Sequence, residues 1–115
     1  DENAIVAVGE NLKANGIEPE QFQVMQGNIL DDPTVQQWAG FGCYDVAVAN
    51  ILADVIIPLV DEIPVHLKKG GIFISSGIIN LKEQAVLEAF SRNQELEVTE
   101  VTRQGEWVSV TARRK

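Results

Sequence analysis

Asn50 is the residue in this sequence best placed to do chemistry. It follows directly on Tyr44–Ala49, whose small and β-branched residues predict a strand buried on both faces. An asparagine at the carboxyl end of such a strand offers a carbonyl acceptor and an amide donor. The carbonyl can accept a hydrogen bond from an amine and so hold the nitrogen lone pair toward an electrophile. The simpler account is a cap on the helix that follows, for which asparagine is among the best residues. On position alone, the cap is the default.

The other chemistry-bearing residues read more plainly. Asp54, Asp61 and Glu62 cluster in sequence, but charged residues at that spacing describe a solvated helix face. Asp31-Asp32 suits helix capping better than a metal site. His66 lies near a helix end, where it can meet the helix dipole. No Ser, Cys or acid is placed by sequence to complete a triad with it, so it reads as a surface or satisfied side chain. Cys43, just before a strand, reads as a small buried hydrophobe. Trp107 sits within a terminal hairpin and reads as core, given the apolar area it brings. No Walker-type loop and no G-x-G-x-x-G run is present.

These positions need elements to hold them. Asp1–Asn15 predicts a helix with Ile5, Val8 and Leu12 on one face, Asp1 as its cap and Gly16 as a left-handed stop. Gly9 inside it implies reliance on packing. Phe22–Met25 predicts a strand. Asp32-Pro33 starts a short helix to Ala39. Ile51–Leu67 is helical but interrupted by Pro58 and Pro64, which predicts a kinked or two-part helix. Lys68-Lys69-Gly70-Gly71 reads as a basic helix end and a break. Ile72–Ser75 predicts a third short strand. A helix then runs from an Asn80 cap, with Glu83 at the capping-box position, to about Asn93. Its expected buried side is Ala85, Val86, Leu87, Ala89 and Phe90. Glu95–Thr102 and Glu106–Arg113 predict an antiparallel hairpin about Gly105.

This alternation predicts an α/β sheet, mostly parallel, with right-handed crossovers and an antiparallel edge. Ligands of such sheets bind beyond the carboxyl ends of the strands. Three places qualify: Gly27-Asn28-Ile29, Asn50-Ile51-Leu52-Ala53 and Ser75-Ser76-Gly77.

Composition bounds the answer. The chain has 115 residues and a net charge of -8, with 45% hydrophobic and 23% charged residues. One domain with one core is expected at this length. No apolar run approaches the roughly 20 residues of a membrane span. The acidic balance argues against direct nucleic-acid binding. One cysteine and one histidine make a structural zinc site a poor fit, so no metal is expected. A reducing, cytoplasmic setting fits best. The chain opens on Asp1 and not Met, which reads as a piece of a longer protein.

Several runs together carry a resemblance: D-E-N-A-I, G-N-I-L, Y-D-V-A-V-A-N-I-L-A, L-K-K-G-G-I-F-I-S-S-G-I-I and G-E-W-V. This pattern resembles class I S-adenosylmethionine-dependent methyltransferases, and more closely the ribosomal protein L-eleven methyltransferase family (PrmA). N-I-L-A followed by S-G-I-I is its more specific part. The resemblance implies a Rossmann-like class I methyltransferase sheet, truncated at its N-terminal side, with a C-terminal antiparallel hairpin. Residues 1–115 would form a partial methyltransferase domain, without the first strands and the glycine-rich cofactor loop. The family strand order would set those absent strands between the Phe22 and Tyr44 strands.

The implied activity is N-methylation of amines on a large-subunit ribosomal protein, with S-adenosylmethionine as cofactor. The implied site residues are Asn50, near the sulfonium and the incoming amine, and Asn28 with Ile29, beside the adenine ring. Trp107 matches a family position without an assigned role. Two alternatives stand beside this reading. One is a non-catalytic fragment that self-associates through exposed sheet edges. The other is a class I methyltransferase with a different substrate.

Overall fold

The computed structural model describes residues 2–18, 23, 25 and 27–115. Helix α1 spans Glu2–Ala14, and its half-buried positions are Ile5, Val8 and Leu12, the expected face. Gly16 ends it with φ 67°. The Gly16 N–H donates to Lys13 O and the Ile17 N–H to Leu12 O, at 3.2 and 3.0 Å, the pairing of a Schellman stop. The Asp1 cap and the strand expected over Phe22–Met25, which rests on Phe22 and Val24, lie outside the described residues.

Helix α2, Pro33–Ala39, starts as its sequence dictates: Pro33 fills the first turn and the Asp32 carboxylate accepts from the Thr34 N–H at 2.9 Å. Strand β1 is Tyr44–Asn50. Helix α3, Ala53–Glu62, contains Pro58 and passes into a 3-10 turn at Ile63–Val65, the two-part helix expected from the prolines.

Strand β2 covers Leu67–Ile79, longer at both ends than Ile72–Ser75. The expected break at Lys68–Gly71 is instead a bulge within β2, where the pairing shifts between Tyr44↔Leu67 and Val46↔Ile72. Gly70 takes φ 81°, and a Cβ on Gly71 would stand 2.8 Å from Lys68 O. The two glycines absorb extra chain without ending the strand.

A 3-10 turn at Asn80–Lys82 precedes helix α4, Glu83–Arg92. The capping box expected from Asn80 and Glu83 does not form. Lys82 is the N-cap with no side-chain bond, and the Glu83 carboxylate is taken by Arg103 at 2.7 and 2.6 Å. Helix α4 buries Val86, Ala89 and Phe90, half-buries Leu87, and leaves Ala85 exposed. Strands β3, Leu96–Gln104, and β4, Trp107–Arg114, form the expected hairpin. Its two-residue turn has Gly105 at φ 61° in first place.

The four-stranded sheet runs β1-β2-β4-β3, with β1 parallel to β2 and β4 antiparallel to both its neighbours. The register puts Ala47, Phe73 and Ala112 in one row and Ala49, Ser75 and Val110 in the next. Helices α3 and α4 cover that face, so Ile56, Val60, Phe73, Val86, Phe90 and Val110 are all but closed to solvent. Phe73 and Phe90 meet at 6.0 Å between ring centroids. Ser75, fully buried, donates to Val110 O at 2.9 Å, which satisfies its hydroxyl inside the core.

The strand read as buried on both faces is the clearest correction. Among the described residues β1 pairs only with β2 and forms an edge of the sheet. Ala47 and Ala49 face the core, but Val46 and Val48 on the other side are 51% and 68% exposed. Near-continuous apolar character records cover on two faces. Only one face and one edge are covered here.

Candidate functional site

Two of the three expected places meet, although Ser75–Gly77 lies within β2 and not at its end. Asn50, the last residue of β1, stands opposite Ser76 of β2, and the Ile51 N–H donates to Ser76 O at 3.3 Å. Directly beyond Ser76, Gly77 adopts φ 77° where the β2–β4 register slips. A Cβ on Gly77 would lie 2.5 Å from Asn50 Oδ1 and 3.3 Å from Ile51 O. The missing side chain is what gives the Asn50 carboxamide its space.

Asn50 does not cap the following helix. The N-cap of α3 is Leu52, and no side-chain cap bonds the first turn. Among the described residues no hydrogen bond occupies the Asn50 carboxamide, and the residue is exposed. A solvent-facing amide at a strand end, clear of the cap role, remains available to a ligand. Beside it the strand is anchored by hydroxyls: Ser109 Oγ donates to Ser75 O at 3.1 Å, and Ser76 Oγ lies 3.2 Å from Ser109 Oγ.

The Asn28 side chain is spent locally. Its Oδ1 accepts from the Leu30 N–H at 3.0 Å and its Nδ2 lies 3.4 Å from Asp31 Oδ2, an Asx-type turn. Ile29 is half-buried against the main core, and its carbonyl accepts from Gln36 Nε2 at 2.9 Å. No hydrogen bond among the described residues joins Asn28 or Ile29 to Asn50. The backbone N–H groups of Asn28 and Ile29 carry no partner there either.

Several side chains stand differently from their sequence reading. Cys43 is exposed rather than buried, because the loop Gly40–Cys43 leads into an edge strand; its Sγ lies 3.8 Å from Ala39 O. Trp107 is 53% exposed rather than core. It is the first residue of β4, paired with Ile79 at the end of β2 and with Gln104 at the end of β3. Asp54 and Asp61 are on a solvated face as expected, with Asp54 3.5 Å from Lys82 Nζ. Glu62 is not: its side chain is 19% exposed and lies 2.6 Å from His66 Nε2.

His66 is a buried, satisfied histidine. Nδ1 lies 2.5 Å from Gly40 O, and the ring stacks on Phe41 at 5.3 Å. Both ring nitrogens face oxygen acceptors, so the arrangement is fully bonded with two ring N–H groups or with the proton on Glu62. The i, i+4 spacing of Glu62 and His66 was the available sequence signal. Elsewhere, the Arg103 guanidinium holds the Glu83 carboxyl below its usual range by direct hydrogen bonds and charge. No cluster of three His, Cys, Asp or Glu suited to a metal occurs among the described residues.

A parallel strand pair continued by an antiparallel hairpin, with helices over one face, is an α/β arrangement that this chain shares with solved methyltransferases. The ribosomal protein L11 methylase of Lactobacillus delbrueckii subsp. bulgaricus superposes with TM-score 0.84 at 28% identity, over 100% of this chain and 54% of that one. A Geobacter sulfurreducens methyltransferase follows with TM-score 0.62 at 19% identity, over 98% of this chain and 54% of that one, a likeness of fold. So does a T. thermophilus 16S rRNA methyltransferase solved with AdoMet and guanosine, with TM-score 0.55 at 21% identity, over 90% of this chain and 26% of that one.

The chain belongs to the ribosomal protein L11 methyltransferase (PrmA) family, whose model matches residues 1–115. A ribosomal protein L11 methyltransferase of Lachnospira eligens is 52% identical over 115 residues, covering 100% of this chain and 36% of that protein. One of Agathobacter rectalis is 43% identical over 114 residues, covering 99% of this chain and 35% of that protein. The chain thus spans about a third of the length of these curated relatives.

Proposed function

We propose that these residues form the later part of a class I methyltransferase domain whose intact protein methylates amino groups of ribosomal protein L11. The observation that carries this reading is the Asn50 carboxamide, uncapped and unpaired, set at the end of β1 with its space reserved by Gly77. Family membership supplies the reaction class.

S-adenosylmethionine, when bound, supplies an electrophilic methyl group. The residues present fit it: Asn28 and Ile29 offer backbone N–H groups that are unpaired among the described residues to a purine edge, and Asn50 offers its amide. Asn50 Oδ1 accepts an N–H from the acceptor amine and so fixes the direction of the lone pair. Asn50 does not titrate, so it orients the amine at any working pH. A free lysine amine ionises near pH 10.4 and must be neutral to attack. Ile51 and Leu52, 39% and 74% exposed, make the approach apolar and favour the neutral form.

The net charge of -8 opposes a phosphate backbone as direct partner, and no helix among the described residues is long and apolar enough to cross a membrane. A cytoplasmic location suits a ribosomal substrate.

In the intact protein, Asn50→Ala lowers methylation about a hundredfold, the scale of one lost polar contact to reacting groups, with the melting temperature unchanged. Wild-type turnover in that variant would sink the role. Calorimetric titration of the 115-residue chain with S-adenosylmethionine shows how much of the cofactor site it holds. Saturable binding shows that this chain holds enough of the site and makes Asn28, Ile29 and Asn50 the first positions to mutate. Absence of binding assigns cofactor capture to the longer protein.

A second reading concerns the chain alone. The open β1 edge and its exposed Val46 and Val48 favour self-association by strand pairing. Light scattering across a concentration series tests it, and a monomer throughout would refute it.

A further inference from the structure

Helix α2 is tied to α3 by a closed circuit of hydrogen bonds, and Gln36 is the member that reaches beyond it. Gln36 Nε2 donates to Ile29 O at 2.9 Å and lies 3.4 Å from Glu62 Oε1. The other Glu62 oxygen lies 2.6 Å from His66 Nε2, and His66 Nδ1 faces Gly40 O. The Gly40 N–H donates back to Gln36 O at 3.3 Å, which closes the circuit. Ile29 O can only accept, so the amide nitrogen of Gln36 must stand on that side. His66 is buried and Gln36 and Glu62 are half-buried, where hydrogen bonds hold more firmly than in water.

The segment at the end of this circuit is Asn28-Ile29. Gly27, just ahead of it, lies so close to α2 that a Cβ there would stand 2.3 Å from Val35 Cγ2. Ile29 and Leu30 pack against the core, but apolar packing is non-directional and leaves the peptide planes free to turn. The other hydrogen bonds of Asn28 among the described residues run only to Leu30, Asp31 and Asp32. The bond from Gln36 is the one that refers this segment to a distant element. By pinning the Ile29 carbonyl it fixes the planar peptide group next to the two N–H groups of Asn28 and Ile29.

We propose that Gln36 is a positioning residue for S-adenosylmethionine, holding Asn28-Ile29 in the orientation that receives the cofactor by bracing Ile29 O against the Glu62–His66 pair. The proposal rests on the reading of Asn28 and Ile29 as cofactor-binding residues. Gln36 acts through Ile29, since its amide N–H groups are spent on Ile29 O and Glu62. Without that bond the segment turns among several orientations, and apparent affinity falls by the fraction of time it is competent.

The test uses the intact protein titrated by calorimetry with S-adenosylhomocysteine, so that no turnover is needed. Gln36→Met keeps the length of the side chain and removes both donors. It raises Kd roughly three- to tenfold, the scale of one net hydrogen bond. Gln36→Lys returns a donor within reach of Ile29 O and Glu62 and recovers most of the wild-type affinity. Gln37→Met is the control and binds as wild type, because Gln37 is exposed one position along the same helix. Under turnover, Gln36→Met raises KM for S-adenosylmethionine by the same factor, while kcat and KM for ribosomal protein L11 stay within about twofold. An unchanged Kd in Gln36→Met, no recovery in Gln36→Lys, or an equal loss in Gln37→Met would each overturn the proposal.

A second arm needs no variant. The Gln36 side-chain amide resonances of the wild-type protein are followed during the same titration, with those of Gln37 as internal reference. A saturable shift at Gln36 that Gln37 lacks supports the proposal. Shifts at the Asn28 and Ile29 N–H groups without one at Gln36 overturn it. Binding that leaves Asn28 and Ile29 unmoved, or no binding by wild type, would defeat the cofactor reading itself, and the proposal would fall with it.

Discussion

Gly77 and Asn50 are mutually exclusive with a larger residue at the first position: a Cβ there would stand 2.5 Å from Asn50 Oδ1. The neighbour in the way is a short side chain at a strand end, not the tip of a long flexible one. The same glycine holds φ 77°, a conformation that side chains oppose. Space and backbone geometry therefore point the same way.

Gly77→Ala is expected to lower stability by about 1–3 kcal/mol through the left-handed backbone alone. In the intact protein it should depress methylation further than that loss explains, because it displaces the Asn50 amide. Denaturant midpoints and initial rates on the same preparation separate the two. Full activity in a folded variant would show that Asn50 can move without consequence.

The Glu83–Arg103 pair makes stability depend on pH in a defined sense. Glu83 ionises below its ordinary value of 4.5 in the folded chain because Arg103 bonds its charged form. A depressed carboxyl contributes stability that is present above its unfolded value and lost as pH falls through the folded one. The melting difference between wild type and Arg103→Ala should therefore be present at neutral pH and shrink toward zero below about pH 4. A difference that persists in acid would assign Arg103 a packing role instead.

Glu62→Ala removes the carboxylate 2.6 Å from His66 Nε2 and leaves a buried ring nitrogen without its partner. The expected loss is roughly 1.5–3 kcal/mol, the usual cost for a charged hydrogen bond. Because Nδ1 faces Gly40 O and the ring stacks on Phe41, the loop before β1 should loosen with it. Amide exchange at Gly42 and Cys43, whose N–H groups donate to Val65 O and His66 O, reports that directly. Unchanged exchange there would separate the cluster from the loop.

Val48→Lys, on the open side of β1, is expected to abolish concentration-dependent association of the 115-residue chain without lowering its melting temperature. Val48 is 68% exposed, so the change costs little core. Light scattering decides, and persistent oligomers would move the interface elsewhere.

Local signals were legible wherever a short stretch settles its own geometry. The Asp32-Pro33 start, the Gly16 stop, the proline-divided third helix and the Gly105 hairpin all formed as their residues imply. Each depends on caps, turns and backbone limits within a few residues. The Asn50 strand end was legible as a candidate for a related reason: ligands of such sheets bind beyond strand ends; Ser75–Gly77 instead lies within β2, which runs to Ile79.

What a residue faces was not legible. Apolar β-branched runs state that Tyr44–Ala49 suits burial, but strand order put it at an edge among the described residues. Glu83 was free to close a capping box until Arg103, 20 residues on, reached its carboxylate. Trp107 suited a core by size, yet it stands at the start of β4, paired with Ile79 and Gln104, and is 53% exposed. By itself the sequence determined most of the elements, those stops that a short stretch settles, and Asn50 as a candidate. Tertiary structure alone decided that Gly77 stands against the Asn50 carboxamide, because contacts between residues far apart in the chain depend on strand order and register.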